Sequence, residues 1–404
     1  MSFVCRRCGK TTPLSEPLWR CSCGGFLEFS GAGMFDREEI AHRGRTIWRY
    51  RESYGLPPEA YGLPGEVPGS PRAGRKHYEG ATPVTLGEGG TPLVERSVDG
   101  TPVLFKLDFL NPSGSFKDRG ASVLVTYLRH LGVRSVVEDS SGNAGAALSA
   151  YAAAAGMDCT VFVPGYTPEG KTVQMRMYGS TVVKVPGKRQ DANDAALEAA
   201  EKGSGDSADP ASRHNFYASH LWHPYFIMGL ESAAFELWED LSRTSPDTVI
   251  LPLGSGGYLE GLAMGFEALR RAGYADRSPK LIGVQSRRCS PLHEAFTRGM
   301  DDFAEVETEV SVAEGIAVRK PPRARAVLEA IRMTGGYTVA VDEGEILDAS
   351  RNLARMGLYV EPTSAVTLAA WRLLENNDRE GAVLILTGSG LKATAKYAES
   401  LPRS

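Results

Sequence analysis

Short β-branched runs alternate with helical stretches along most of the chain beyond Thr91. Four predicted strand–helix pairs come first: TPVLFKL before KDRGASVLVTYLRHLG, RSVVED before NAGAALSAYAAAAG, CTVFVP before GKTVQMRMYG, and STVVKV before DANDAALEAAEKG. Four further strands are predicted at DTVILPL, KLIGVQ, YTVAV and AVLILT. Alternation of this kind is typical of mainly parallel sheets that helices cover on both faces. The sequence therefore predicts an α/β fold.

Two segments interrupt the alternation. Residues 55–74 contain ten Gly or Pro among twenty, so we predict an arm or linker there rather than a helix or a central strand. Residues 202–214, KGSGDSADPASRH, are polar and rich in small residues, which predicts a loop between two lobes. A chain of 404 residues has room for two or three structural units of roughly 150 residues each.

Four turns of small residues follow predicted strands and lead into helices. They are NPSGSFKDRG at 111–120, SSGNAG at 140–145, GSGGYLEG at 254–261 and TGSGLK at 387–392. In open α/β sheets, ligands bind outside the carboxyl ends of the strands, where such turns lie. We therefore expect the four turns to form one shared site.

The glycine turn at 254–257 exposes main-chain N–H groups at a helix start, which suits a phosphate. A dinucleotide fingerprint would need a third glycine where Leu259 stands, and Gly261 comes two residues late. This turn is therefore interpreted as a phosphate loop, with a plain tight turn as the alternative.

The other three turns offer complementary groups. SSGN supplies hydroxyls and an amide that suit a carboxylate or a ring oxygen, although an ordinary helix cap would use the same residues. Thr387 and Ser389 supply neutral hydroxyls, and Lys117 supplies an amine, which alone would be typical of a solvated helix end. Together these groups are what a pyridoxal phosphate enzyme needs, because its lysine carries the cofactor as a Schiff base.

Four of the six cysteines lie within the first 23 residues, at Cys5, Cys8, Cys21 and Cys23. In a reducing compartment such a cluster favours a closed tetrahedral zinc site over disulfides, although one pair has a single intervening residue. The alternatives are unrelated thiols or a lost metal. Because four protein ligands leave no open position, the predicted zinc ion is structural.

Charge and hydropathy exclude some classes of partner. Lys and Arg number 45 against 49 Asp and Glu, which argues against a generic nucleic-acid or anionic-membrane partner. No apolar run approaches the ~20 residues of a bilayer span. We expect a soluble, cytoplasmic protein.

The turns and the amino-terminal cysteines carry a family resemblance. The chain resembles the threonine synthase branch of the fold-type II, tryptophan-synthase-β-like pyridoxal phosphate enzymes over nearly its whole length. The shared segments are the cysteines, TIWRYRE, GEGGTPL, NPSGSFKDRG, SSGN, GVQ, EPTSA and LTGSGLK. The resemblance implies two doubly wound α/β lobes with mainly parallel sheets, a small zinc ribbon and a homodimer.

The resemblance also implies residue roles. Lys117 binds the cofactor covalently and transfers protons, Phe116 packs beside it, Asn143 contacts the ring hydroxyl and Thr387 faces the pyridine nitrogen. The main chain of the glycine turn holds the cofactor phosphate, through Gly254, Ser255, Gly256 and Gly257. Substrate contacts are expected from Thr91, Ser140, Ser141 and Arg319. The implied reaction converts O-phospho-L-homoserine and water to L-threonine and phosphate.

The implied domains are a zinc ribbon at 1–30, an arm at 31–80, a large cofactor-binding lobe at 81–110 and 211–404, and a small lobe at 111–210 that carries Lys117. Two departures concern the substrate. The family carries Gly-Asn-Ala-Gly where this chain has Gly-Ser-Gly-Gly, and an arginine where Ala317 stands, the nearest being Arg319. The alternatives are β-replacement on O-phosphoserine, as in cysteate synthase, and dehydration of serine or threonine.

Overall fold

The computed structural model describes residues 1–31, 33, 35–61, 82–202 and 215–400. Its strands are β1 (Phe3–Cys5), β2 (Thr11–Thr12), β3 (Leu27–Phe29), β4 (Leu93–Val98), β5 (Thr101–Lys106), β6 (Ser135–Glu138), β7 (Asp158–Pro164), β8 (Thr181–Val185), β9 (Phe216–Tyr217), β10 (Thr248–Pro252), β11 (Lys280–Ser286), β12 (Tyr337–Val341) and β13 (Val383–Ile385). Residues 62–74 of the predicted linker and 203–214 of the predicted loop lie outside the described residues.

Helices separate most of the later strands along the chain. They are α1 (Arg37–Ile40), α2 (Pro58–Tyr61), α3 (Lys117–His130), α4 (Asn143–Ala155), α5 (Glu169–Met177), α6 (Arg189–Lys202), α7 (Pro224–Leu230), α8 (Ser232–Asp240), α9 (Gly257–Arg271), α10 (Pro291–Thr297), α11 (Ala324–Met333), α12 (Glu343–Arg355), α13 (Pro362–Leu373), α14 (Asn376–Arg379) and α15 (Thr394–Ser400). Among the described residues, no helix combines the length and the apolar character that crossing a membrane requires.

The chain divides into two compact units. Unit 1 comprises Met1–Leu86 and Gly120–Gly229, and unit 2 comprises Gly87–Arg119 and Leu230–Ser404. This division differs from the domains predicted above, because Lys117 falls in unit 2 rather than in the smaller lobe. The main chain explains the difference, since the Phe116 N–H donates to the Thr387 carbonyl of unit 2 at 3.0 Å.

Unit 1 contains a parallel sheet with the strand order β8-β7-β6-β9. The three amino-terminal strands form a second, antiparallel sheet with the order β2-β1-β3. Aromatic side chains pack this small sheet onto the rest of unit 1: the Phe3 ring lies 6.0 Å from the Tyr225 ring, and the Phe29 ring lies 4.9 Å from it. The Tyr127 hydroxyl also donates to the Leu14 carbonyl at 2.9 Å. The amino-terminal sheet is therefore packed against unit 1 by several elements.

Unit 2 is built on a sheet with the order β12-β11-β10-β13-β5-β4, in which the β4–β5 pair is antiparallel and the other pairs are parallel. Its central strands are apolar on both faces, as the consecutive buried residues Val249, Ile250 and Leu251 of β10 illustrate. Continuous apolar strands are expected where helices cover both faces of a sheet. The carboxyl ends of β10 and β13 lead directly into two of the predicted turns.

These strands and helices confirm the predicted α/β class. Each of the eight predicted strand segments overlaps a strand of the structure, and YTVAV matches β12 residue for residue. The pattern did not predict β4, whose mixed sequence LVERSV suits an edge, or β9, which has two residues.

Candidate active site

The lysine turn leads from β5 into α3, and its shape is set by several internal hydrogen bonds. The Asn111 side chain donates to the Asp108 carbonyl at 2.8 Å and accepts the Gly89 N–H at 2.9 Å. Gly114 has a φ of +85°, a conformation that favours glycine. Lys117 then opens α3 and is half-buried. The turn thus presents Lys117 at a fixed helix start.

The lysine turn is joined to the Thr387 turn by main-chain contacts. Besides the bond from Phe116 to Thr387, the Ser389 N–H donates to the Gly114 carbonyl at 3.0 Å. Ser115 and Gly388 form an antiparallel bridge between the same two segments. Two of the four predicted turns therefore lie side by side, as expected for turns at the ends of neighbouring strands.

The Thr387 hydroxyl is buried and is held from the α13 side. Its Oγ1 lies 3.1 Å from the Ser364 Oγ, and that Oγ also accepts the N–H groups of Thr387 at 3.0 Å and Gly388 at 2.9 Å. Ser364 belongs to the EPTSA segment. The Ser364 hydroxyl thus holds both the main chain and the side chain of Thr387 in place. Thr387 is therefore a fixed hydroxyl that carries no charge.

The glycine turn connects β10 to α9 and requires glycine at its centre. Gly256 is the N-cap of α9 with a φ of +86°, and no side chain caps this helix there. A Cβ at Gly256 would lie 2.3 Å from the Val327 Cγ2, so a side chain does not fit. The uncapped N–H groups at this end suit an anion, and the phosphate site predicted there stays a prediction.

A ring stack joins the glycine turn to the lysine turn. Tyr258 follows the glycines, and its ring stacks on Phe116 with centroids 4.5 Å apart and planes 6° from parallel. The Lys117 Nζ lies 4.8 Å from the centroid of the same Phe116 ring. Three predicted turns of unit 2 therefore meet around Lys117.

Behind this stack lies a buried charge network that the sequence analysis missed. Arg119 makes bidentate hydrogen bonds to Asp108, at 2.9 and 2.8 Å, and to Glu236, at 2.6 and 2.8 Å. All three side chains are buried, with Arg119 and Asp108 at 0% exposure. Burial alone would raise the pKa of Glu236, but Arg119 and Lys106 hold it well below its usual value. Glu236 is thus ionised and paired with Arg119.

The same network reaches Tyr258, Lys106 and Thr91. Tyr258 donates its hydroxyl to Asp108, and the Lys106 Nζ donates to Asp240 at 2.8 Å. The Thr91 hydroxyl donates to Asp108 at 2.7 Å. Thr91 therefore contacts the network, and its predicted contact with a substrate anion stays a prediction. The Arg two positions after Lys117 was the only sequence sign of this network, because its partners are distant in the chain.

In unit 1, the SSGN turn leads from β6 into α4. Gly142 is the N-cap of α4 without a side-chain cap, so the ordinary Ser or Asn cap is not what this helix uses. Ser140 is buried, while Ser141 and Asn143 are half-buried, and the Ser140 Oγ accepts the Gly142 N–H at 3.4 Å. A Cβ at Gly145 would lie 2.0 Å from the Ser140 carbonyl oxygen, which explains the last glycine of the motif.

The segment around Ala317 packs beside the glycine turn. A Cβ at Gly254 would lie 3.1 Å from the Ile316 Cα and 3.5 Å from the Val318 Cγ2. Arg319, the next residue, is exposed. Arg323 is instead buried in a bidentate pair with Glu260, at 2.7 and 2.6 Å. Of the basic residues in AVRKPPR, Arg319 and Lys320 are thus the exposed ones.

The four amino-terminal cysteines lie together in unit 1. Their Sγ atoms are all within 4.8 Å of one another, with Cys5 and Cys23 at 3.4 Å and Cys8 and Cys21 at 3.7 Å. A hydrogen bond from the Cys23 main chain lowers the pKa of the Cys21 thiol to about 6. A hydrogen bond from the Gly25 main chain acts in the same direction at Cys23, but the cluster raises the pKa of the Cys23 thiol, because it shares its proton with the neighbouring sulfurs. The four clustered sulfurs form a donor set that fits a tetrahedral thiolate site.

Comparison with solved structures shows the same fold in other enzymes. Maize serine racemase matches with a TM-score of 0.63 at 21% identity, covering 77% of this chain and 93% of its own. A T.th. threonine deaminase matches with a TM-score of 0.59 at 26% identity, covering 74% of this chain and 92% of its own. These neighbours confirm the fold-type II architecture.

Sequence comparison gives closer relatives. Threonine synthase of Methanocaldococcus jannaschii is 34% identical over 96% of this chain and 92% of its own, and threonine synthase of Methanosarcina acetivorans is 31% identical over 96% and 91%. Threonine synthase of Synechocystis sp. is 33% identical over 76% of this chain and 78% of its own. The model of the family described as pyridoxal-phosphate dependent enzyme matches residues 84–388. The chain therefore belongs to the pyridoxal-phosphate dependent enzymes and, within them, to the threonine synthase group.

Proposed function

We propose that the protein converts O-phospho-L-homoserine and water to L-threonine and phosphate, with pyridoxal phosphate bound through Lys117. The observation that carries the proposal is the meeting of the lysine, glycine and Thr387 turns around Lys117 in unit 2. The relatives that match over most of this chain are threonine synthases. A lyase of this kind needs an amine, a phosphate site and a ring-nitrogen partner close together, and these turns offer them.

The residues present fit the cofactor. The uncapped N–H groups of Gly256, Gly257 and their neighbours suit a phosphate, because no Cβ obstructs the turn. The Ser115 Oγ is buried and has no hydrogen-bond partner among the described residues, which leaves a polar atom beside Lys117 for a bound group. Thr387 offers a neutral hydroxyl to the pyridine nitrogen, which a hydroxyl leaves largely unprotonated.

When bound, the cofactor supplies an electron sink that acidifies the carbon next to the substrate amine. The chain supplies the remaining steps. Lys117 removes and returns protons at neighbouring substrate carbons, since its amine is at the start of α3 beside Phe116. Asn143 is proposed to contact the ring hydroxyl, and Ser140 and Ser141 to bind the substrate carboxylate.

The leaving phosphate needs a cation of its own, apart from the glycine turn. Arg319 is proposed for this role, because it is exposed and follows Val318 at the glycine turn, whereas Arg323 is neutralised by Glu260. The expected effect of Arg319→Gln is a KM for O-phospho-L-homoserine raised about tenfold, for one lost phosphate contact. Arg325→Gln on the exposed side of α11 is the matched control and should leave KM unchanged.

The four cysteines are proposed to hold one structural zinc ion. The clustering of their sulfurs supports a closed site, in which no ligand position is open for catalysis. A cytoplasmic location is proposed with it, because clustered thiols suit a reducing compartment. A homodimer is proposed as well, because the family resemblance implies one. Metal analysis of reduced protein should give one zinc per chain, and light scattering should give twice the chain mass of 43.5 kDa.

A panel of substrates tests the proposed reaction. The purified enzyme is supplied with O-phospho-L-homoserine, with O-phosphoserine and sulfite, and with free threonine and serine. Phosphate and threonine formed from the first compound in equal amounts support the proposal. Replacement on O-phosphoserine with O-phospho-L-homoserine inert, or an oxo acid formed from threonine, would contradict the substrate and leave the cofactor assignment.

A further inference from the structure

Asp118 closes the turn that presents Lys117. Its Oδ2 accepts the Ser113 N–H at 2.6 Å, and its Oδ1 accepts the Ser113 hydroxyl. Both side chains are buried, Asp118 at 0% and Ser113 at 2% exposure. The contact therefore ties the residue after Lys117 to a residue four positions before it.

The residues enclosed by this contact make the turn's connections to its neighbours. Gly114 accepts the Ser389 N–H, Ser115 bridges Gly388, and Phe116 donates to Thr387. The Phe116 ring also stacks on Tyr258 beside the glycine turn. Loss of the contact between Asp118 and Ser113 would therefore disturb every contact that positions Lys117.

The stability of the fold alone would not favour a carboxyl group at position 118. Burial raises the pKa of Asp118 to about 7, although the Ser113 hydrogen bonds and the charge of Lys392 oppose this shift, and Glu88 adds to it. The pKa of Lys392 is itself lowered by burial. An uncharged side chain would avoid the cost of burying this charge. A costly buried group beside a reactive residue points to a role in the site.

We propose that Asp118 is a positioning residue for Lys117: by accepting both hydrogen bonds of Ser113, it fixes the turn so that the lysine amine faces the cofactor site. This inference rests on the proposed role of Lys117 and deepens it. Asp118 acts through the turn and does not touch the substrate.

The test measures cofactor retention by the holoenzyme in the Asp118→Ala, Asp118→Asn and Ser113→Ala variants. Asp118→Ala loses both hydrogen bonds, so its cofactor dissociation constant should rise at least about tenfold. Asp118→Asn should recover most of this loss, because its amide can accept the Ser113 N–H and donate to the Ser113 hydroxyl. Ser113→Ala loses one bond and should fall between them. Recovery by the amide is not expected of a residue that acts only by its charge.

Asp191→Ala is the matched control. Asp191 also lies in the first turn of a helix, α6, and accepts a main-chain N–H, from Lys188 at 2.5 Å. Asp191 lies in unit 1, outside the lysine turn. Its removal should leave the cofactor dissociation constant within about twofold of the wild-type value. A larger effect would show a general response to the loss of a carboxylate at a helix start.

Cofactor retention of Asp118→Ala equal to that of the wild type would overturn the inference, as would equal losses in Asp118→Ala and Asp118→Asn. If Asp118→Ala does not fold, Ser113→Ala decides, and a dissociation constant unchanged in that variant overturns the inference. Retention does not depend on the substrate. A wild type that binds the cofactor but makes no threonine would therefore contradict the proposed reaction without affecting this result.

Discussion

Gly256→Ala should damage both the fold and the cofactor site. The new Cβ would sit at a φ of +86° and 2.3 Å from the Val327 Cγ2. A left-handed conformation costs a non-glycine residue about 1–2 kcal/mol, and overpacking a core contact adds about 1–3 kcal/mol. We expect the free energy of unfolding to fall by about 3 kcal/mol, as measured by urea denaturation of the cofactor-free protein.

A double-mutant cycle separates the two costs. Val327→Ala removes the two methyl groups that the new Cβ would meet, at 2.3 and 2.8 Å, and leaves the Val327 Cβ at 3.0 Å. Gly256→Ala should therefore be less destabilising by about 1–2 kcal/mol in the Val327→Ala background. The remaining loss would report the backbone conformation. Additive effects of the two substitutions would refute the predicted contact, and a fully stable Gly256→Ala would refute the geometry of the turn.

Binding measurements connect the same substitution to the site. If the turn binds the cofactor phosphate, Gly256→Ala should weaken the binding of pyridoxal phosphate at least about tenfold and that of pyridoxal, which has no phosphate, much less. The ratio of the two affinities controls for a general loosening of unit 2. Equal losses for the two compounds would contradict the assignment of residues 254–257 as the phosphate site.

Three further predictions concern buried charge and metal. The pKa of Asp118 is raised from 3.8 to about 7, so between these pH values the folded protein retains a proton that the unfolded chain has lost. The free energy of unfolding of the wild type should therefore fall by about 3 kcal/mol relative to that of Asp118→Asn between about pH 5 and pH 8. A difference between the two proteins that does not change with pH in urea denaturation would contradict this. Glu236→Gln removes a negative charge that Arg119 and Lys106 pair with, and should cost about 3–5 kcal/mol at pH 7. The control Glu267→Gln, at a half-buried carboxylate paired with Arg270, should cost less than about 1 kcal/mol. Similar losses in the two variants would refute the importance of the network. Cys5→Ser should lose the zinc and have a lower melting temperature, because Cys5 shares β1 with Phe3, which packs into unit 1. The control Cys159→Ser should keep the metal. Zinc retained by Cys5→Ser would argue against the four-cysteine site.

Local patterns in the sequence were sufficient for the buried strands and the turns of unit 2, but not for its edge strand β4. Apolar strands such as VILP and VLI can be recognised in the sequence because helices cover both faces of the sheet. The turns after them carry glycines, which adopt conformations that other residues rarely adopt. The motif containing Lys117 is therefore predicted to form a strand–helix turn, and the structure places the glycine and Thr387 turns beside it.

Long-range pairing could not be predicted in the same way. Arg119 and Glu236 are 117 positions apart, and no periodicity connects an arginine in one helix to a carboxylate in another. Arg319 and Arg323 are basic residues of one loop, and the sequence alone does not show that Glu260 pairs with Arg323 and leaves Arg319 exposed. The role of Thr91 as a donor to Asp108 was hidden for the same reason.

Reduction of the holoenzyme with borohydride, followed by mass mapping of its peptides, tests the central claim most directly. The cofactor should be fixed as a phosphopyridoxyl group on Lys117, and Lys117→Ala should lose both the label and the turnover. Lys392 is the informative competitor, because its side chain lies against Gly114 in the same turn. A label on Lys392 or on another lysine, or full turnover by Lys117→Ala, would contradict the account of how this site works.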